Sequence, residues 1–272
     1  MAEPEVQISP EPDVEMAGAE ESEVADVDDR DVGGAAGEGN GDSASSPHSV
    51  FLDYLKSPIV ELVVGSDNEQ TTITAHSAIL AKSPWFAAKI RETPTAIEMH
   101  DEALDAVACF LQYQYTGEYF PRRSSTSPDG LEHDPSAPDV DDTGDQLLKH
   151  ARVYTLAGKL GLPDLKTLAH SKIHRINSSA KGEIAYARYV YGNTPSDDTT
   201  IRKPVAAFWA TRSHVLRHEA EKEFREMCIQ YPQFGFDVLT LVLDQRERKS
   251  AREGDETVTP AKSGRKRLRT GA

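Results

Sequence analysis

The residues of this 272-residue chain best suited to nucleophilic or metal chemistry are nine histidines and two cysteines. His170 and His174 are four apart, as are His214 and His218, so each pair shares one face of a helix. A zinc site needs one or two further ligands converging on such a pair. Cys109 and Cys228 stand far apart, each inside an apolar helical pattern, and read as buried thiols. Two cysteines exclude a disulfide framework and an all-cysteine zinc site. His218-Glu219 opens like the zinc-protease element, but position 222 is Lys222 rather than histidine. There is no Gly-x-Ser-x-Gly and no phosphate loop of the Gly-x4-Gly-Lys-Ser/Thr kind. Gly33, Gly34, Gly37, Gly39 and Gly41 sit among acids, with no strand before them and no amphipathic helix after. The expectation is no catalysis, no metal site, no cofactor and no small-molecule substrate, with the histidines exposed on amphipathic helices.

The elements that would position any site are easier to read. Ile59-Val-Glu-Leu-Val-Val64 is rich in β-branched residues and predicts a strand. Gly65 to Asn68 is turn chemistry, and Thr71 to Ala75 completes a hairpin. Before it, Ser49 to Leu55 predicts two helical turns with Phe51, Leu52 and Leu55 on one face, packed as a lid on the first strand. After it, His76 to Ala81 predicts a short helix, and Pro84 starts a second one through Trp85 and Phe86. Thr95 to Met99 predicts a third strand. Asp101 is the expected N-cap of a helix carrying Leu104, Val107, Ala108, Leu111 and Tyr115 on one face and stopped by Gly117. Order resumes at Gln146, with Leu147, Leu148, Ala151, Tyr154, Ala157 and Leu160 before Gly161. Pro163 then starts a helix with Leu165, Leu168, Ala169, Ile173 and Ile176 on its apolar face. Further helices are expected over 180–191, 199–213, 215–230 and 232–248, with Pro204 a misfit in the second.

The stretch 57–119 resembles the BTB/POZ domain in the form common among fungal proteins. The residues that carry the resemblance are Ile73-x-Ala75-His76, Ala78-Ile79-Leu80, Ser83-Pro84-x-Phe86 and Phe110-Leu111-x-Tyr113-x-Tyr115-Thr116-Gly117-x-Tyr119. The helix pair joined at Lys159-Leu-Gly-Leu-Pro163 resembles the pair that closes such a domain. The resemblance implies a protein-interaction module that is not an enzyme, with His76 capping and steadying the first short helix. It also implies an element in adaptor-type members, hydrophobic-x-Glu, that contacts a cullin scaffold; Ile90-Arg91-Glu92 lies in that interval. Zinc-finger-linked members carry a charged pair at the positions held here by Ile59 and Ser77, so the repressor-type pocket is absent.

Net charge is −15 and is concentrated outside the apolar patterns. Residues 1–48 hold fourteen acids against Arg30, residues 121–145 hold seven acids against two arginines, and residues 245–272 hold nine Lys/Arg against four acids. The remainder is close to neutral, which argues against direct DNA binding by the core. No apolar run reaches membrane-spanning length, so no membrane partner and an intracellular location are expected. The fold class expected is α/β, mostly helical: a BTB/POZ fold with a small sheet and helical body, plus a C-terminal helical extension. Its parts are a disordered acidic tail (1–48), the domain (49–178) with a disordered insertion (121–145), the extension (179–248) and a basic disordered tail (249–272). The expected function is self-association or docking of partner proteins through Phe51, Leu55, Trp85, Ile90 and Glu92. A substrate adaptor for a cullin-type ubiquitin ligase and a nuclear transcriptional regulator are the alternatives. Lys262, Arg265, Lys266, Arg267 and Arg269 form a compact basic cluster of the nuclear-import kind, so a nuclear location is expected before a cytoplasmic one.

Overall fold

A computed structural model of the chain describes residues 47–66, 69–124 and 130–256. The fold is mostly helical with one small three-stranded sheet. The chain enters through α1 (Pro47–Lys56) and runs into β1 (Ile59–Val64). β1 buries Val60, Leu62 and Val64 and turns Ile59 and Glu61 outward, the period-2 alternation of a strand covered on one face. Gly65, at φ 94°, turns the chain where a side chain would meet the carbonyl of Glu69. β2 (Thr71–His76) returns antiparallel, with Leu62 opposite Ile73.

Two short helices follow, α2 (Ser77–Leu80) and α3 (Pro84–Glu92). Ser83 caps α3 by accepting from the Phe86 N–H, and its own hydroxyl donates to the carbonyl of Leu160 at 2.7 Å. β3 (Ala96–Met99) then joins the other edge of β1 in parallel, giving the order β2-β1-β3. α4 (Leu104–Thr116) follows and packs on α2 and α3, and Gly117 stops it in the left-handed conformation at φ 78°. Behind it lies an antiparallel pair, α5 (Asp145–Leu160) and α6 (Pro163–Ile173). The rest is helical: α7 (Ala180–Asn193), α8 (Thr199–Glu219), α9 (Glu221–Gln230) and α10 (Pro232–Glu256). One continuous apolar core runs from Val60 and Phe86 through Tyr154 and Leu156 to Trp209 and Phe234.

Several local expectations change. α4 begins at Leu104, not after Asp101, and buries Ala106, Val107, Cys109, Phe110 and Gln114 while Leu104 and Ala108 stay exposed. The reason is Phe110, whose ring stacks on Phe86 at 5.4 Å and fixes the inward face. His76 does not cap α2 with its side chain: its Nδ1 lies 2.7 Å from the Tyr115 hydroxyl. Ser57 does that work instead, accepting from the Ala78 N–H at 3.1 Å and donating to the Tyr54 carbonyl at 2.7 Å. α8 runs unbroken past residue 214 to Glu219, and the break falls at Ala220. Pro204 sits inside α8 near its start, where the only helical donor it removes is the one to Thr200.

The largest change concerns 121–145, expected to be unstructured. Its described residues are tied down at both ends. Arg123 bridges Leu131, and Asp141 is buried. The Asp141 carboxylate accepts from the N–H groups of Gly144 (2.8 Å) and Leu147 (3.0 Å), capping α5, while its backbone pairs with Asn177 and Ser179. The approach is close enough that a Cβ on Gly182 would lie 2.2 Å from the Asp141 carbonyl oxygen. A carboxylate four residues before a helix looks like part of an acidic run in the sequence, and only the fold shows that it is a cap.

Candidate interaction surfaces

α1 was expected to cover β1, but it lies against α2 and β2. Lys82 places its ammonium 4.4 Å from the centre of the Tyr54 ring, and this with the Ser57 bonds fixes the helix to the body. That leaves the apolar side chains of α1 open: Phe51 is 43 %, Leu52 44 % and Leu55 42 % exposed. Ile59, at the start of β1, is 52 % exposed and follows directly in the chain. Four large apolar side chains within nine residues of chain therefore face solvent. Scattered exposed leucines need no explanation, but a cluster on one short element does.

The second expected surface is built differently. Trp85 is half-buried and meets Phe86 edge-on at 4.9 Å, and Lys159 lies 6.0 Å from the centre of its ring. Ile90 also packs partly against the core. Glu92 is exposed and ion-paired with Lys89 at 2.8 Å, one turn earlier on α3. Trp85, Ile90 and Glu92 thus share α3, but only Glu92 stands free of the core, while Phe51 and Leu55 belong to α1.

Sequence reasoning missed the buried polar cluster behind these surfaces. Lys172 is fully buried. Its ammonium meets the Glu118 carboxylate at 2.6 Å, donates to the carbonyls of Tyr119 and Pro121, and lies 3.7 Å from the centre of the Tyr119 ring. Burial alone would raise the Glu118 carboxyl, but the hydrogen bonds from Lys172 and the Tyr119 N–H hold it below the usual carboxylate range. Burial draws the Lys172 ammonium below its ordinary value. The Tyr119 hydroxyl sits 2.9 Å from Nδ1 of His150, which burial and the charges of Lys172 and Lys149 push down to about 3. Burial pushes the Cys109 thiol up to about 11, so it is not a nucleophile at neutral pH. Apart from the Glu118 oxygen that pairs with Arg123 at 3.6 Å, the strong acceptors in the cluster point at backbone or at its own members, the arrangement of a structural lock. A lysine at position 172 in an otherwise apolar helix face was the signal for it.

Pocket geometry adds little. A cavity of about 190 Å³ lies between residues 131–139 and α5–α6, lined by Glu132, Asp134 and Asp139 as well as Lys149 and Arg175, so its charges oppose one another. Among the described residues no group of three His, Cys, Asp or Glu side chains gathers as a metal site. No described helix is long and apolar enough to cross a membrane. The basic cluster Lys262, Arg265, Lys266, Arg267 and Arg269, the acidic stretch 1–46 and the glycines 33–41 lie outside the described residues.

No family model matches the chain, and no curated protein matches it. Among solved structures it is similar to the BTB (Tramtrack and Bric a brac) domain of human gigaxonin. The two share 21% identity over 47% of this chain and 92% of that one, with a TM-score of 0.27, a value too low to carry an argument about function.

Proposed function

We propose that the chain is a protein–protein interaction module of the BTB/POZ type that self-associates through α1 and the start of β1. The observation that carries this reading is the exposure of Phe51, Leu52 and Leu55 on a helix otherwise fixed to the body by polar contacts, and of Ile59 at the start of β1. The motif residues at 73–86 and 110–119 support the family. Burying four such side chains would contribute several kcal/mol at about 1.5–3 kcal/mol each when fully covered. The test is sedimentation of the full chain against concentration. A dimer that becomes monomeric in Phe51→Ser with Leu55→Ser, at unchanged far-ultraviolet circular dichroism, is the expected result. A wild type that stays monomeric at high concentration removes the reading.

A second reading, a cullin-type adaptor, rests on the exposed Glu92 at the end of Ile90-Arg91-Glu92. Because Ile90 packs on the core, its substitution disturbs folding as well as binding, so Glu92→Ala is the cleaner probe. In a pull-down with a cullin scaffold this variant is expected to recover less scaffold than the wild type; equal recovery sinks the adaptor reading while leaving self-association standing. A nuclear role through recruited partners rests on the basic cluster alone. A reporter fused to residues 249–272 is expected to collect in nuclei, and an even cytoplasmic signal removes that idea.

A further inference from the structure

Eight Ser/Thr-Pro dipeptides occur in the chain, and four of them, at Ser57, Ser83, Thr93 and Thr194, lie within the described residues. In sequence the four look alike, and the fold separates them by what each hydroxyl does. Ser83 is fully buried; its hydroxyl donates to the Leu160 carbonyl at 2.7 Å and accepts from the Phe86 N–H at 3.3 Å. Thr194 is buried; its hydroxyl donates to the Val190 carbonyl at 2.6 Å and accepts from Nε of Arg202 at 3.0 Å. Ser57 is half-buried, and its hydroxyl is used twice, on the Tyr54 carbonyl and the Ala78 N–H. Thr93 alone of the four is exposed, and its hydroxyl makes one long bond, 3.3 Å, to the Lys89 carbonyl. We propose that Thr93 is a phosphorylation site for a proline-directed protein kinase.

Access supports the site first. Residues 91–95 are exposed without a break, in the last turn of α3 and the irregular link to β3. A frayed helix end and a solvent-exposed link open at lower cost than a packed element. Backbone shape supports it next. A kinase takes its substrate in extended form, and Thr93 already has φ −135° and ψ 90°. The ring of Pro94 keeps the residue before it out of the helical region, and Pro94 itself has no N–H to leave unpaired in the kinase groove. Modification also breaks nothing but the long bond to Lys89. At Ser83 it would remove the cap of α3, and at Thr194 it would take an acceptor from buried Arg202, each time placing a charge in the core. In the reaction, Oγ1 of Thr93 bonds to the γ-phosphorus of a nucleoside triphosphate held by the kinase. The bond from that phosphorus to its bridging oxygen breaks, the nucleoside diphosphate leaves, and the hydroxyl proton passes to the kinase base and on to water. The ester adds about −1.5 to −2 charge at neutral pH. It stands directly after Glu92 at the negative end of α3, where Lys89 and Arg91 are the cations of the same turn. Lys89 already holds Glu92 at 2.8 Å, so the two anions compete for it. Thr93 is a site of this kind whether or not Glu92 contacts a scaffold.

The test is to incubate the folded full chain with a proline-directed kinase, ATP and Mg²⁺, and to map phosphate by fragmentation mass spectrometry. A synthetic peptide of residues 88–99 is treated alongside. Thr93 is expected to carry phosphate in both, while Ser57, Ser83 and Thr194 stay unmodified in the folded chain. Thr93→Val, which keeps the β-branched shape and loses only the long bond, is expected to lose that label and no other. An unmodified Thr93 in the folded chain overturns the proposal; a labelled peptide beside it assigns the failure to access, and an unlabelled one to the sequence. Labelling of Ser83 or Thr194 as fast as Thr93 also overturns it, since the fold would then not be what selects the site.

Discussion

α1 and the Lys172 cluster invert the usual partition of side chains in opposite ways. α1 leaves Phe51, Leu52 and Leu55 in water, while α6 takes a lysine fully inside. In the cluster each donor of Lys172 finds a carboxylate, a carbonyl or a ring face, so the buried charge fixes the path of the chain from Glu118 to Pro121. On α1 the apolar side chains stay over two-fifths exposed among the described residues. The difference separates side chains whose partners all lie within the fold from side chains left partly in water: the first kind is structural, and the second is the surface on which the proposed self-association rests.

The contrast can be broken by substitution, and the cluster should break hardest. Lys172→Met leaves Glu118 with only the longer ion pair to Arg123, at 3.6 Å, and two buried carbonyls without a donor, and is expected to cost roughly 3–5 kcal/mol in urea unfolding. A variant as stable as the wild type would mean that the lysine is not what holds this turn. Asp141→Ala, which uncaps α5, is expected to cost about 2 kcal/mol by the same measurement. His150 provides a pH test of the same cluster. Its folded pKa lies near 3 and its ordinary value is 6.5, so below pH 6.5 the unfolded chain takes up a proton that the folded chain refuses. Its contribution to stability is complete above pH 6.5 and falls as pH drops toward 3, by about 1.4 kcal/mol per pH unit. His150→Gln is expected to remove that share of the slope between pH 6.5 and 5; an unchanged slope would mean that the ring is not buried and neutral. The α1 substitutions give the smallest stability effect. Phe51→Ser with Leu55→Ser is expected to change monomer stability by less than about 1 kcal/mol while weakening self-association at least about tenfold, or 1.4 kcal/mol. A large loss of stability would place these residues in the fold and not on an interface.

Local signals were legible where one residue type decides the backbone. Pro84, Gly117, Gly161 and Pro163 start and stop helices where the sequence places them, and β1 spans Ile59–Val64 because its β-branched residues alternate across a sheet with one covered face. Features set by long-range contacts were not legible. The inward face of α4 depends on Phe86, and the role of Asp141 depends on Gly182, which lies on another helix. His76 bonds Tyr115, 39 residues away, so a local rule assigns it the wrong partner. The exposed face of α1 was half legible: its apolar spacing could be read, but not whether the domain would cover it. The convergence of His170 and His174 needed the ring positions, since the pair on α8 has the same spacing and no contact.

The stretch between Pro121 and Asp141 is held at one end by Lys172 and at the other by the Asp141 bonds to Asn177 and Ser179. Both anchors belong to α6 or to the connection after it, and neither depends on the stretch itself being continuous. The chain can therefore be divided between Ser124 and Gly130 without freeing either end. The two pieces meet where α4 and α3 pack on α5. Each piece alone would expose the apolar face that the other covers at that seam. A cut there would leave both anchors of the stretch in place and part the chain at the α4–α5 seam.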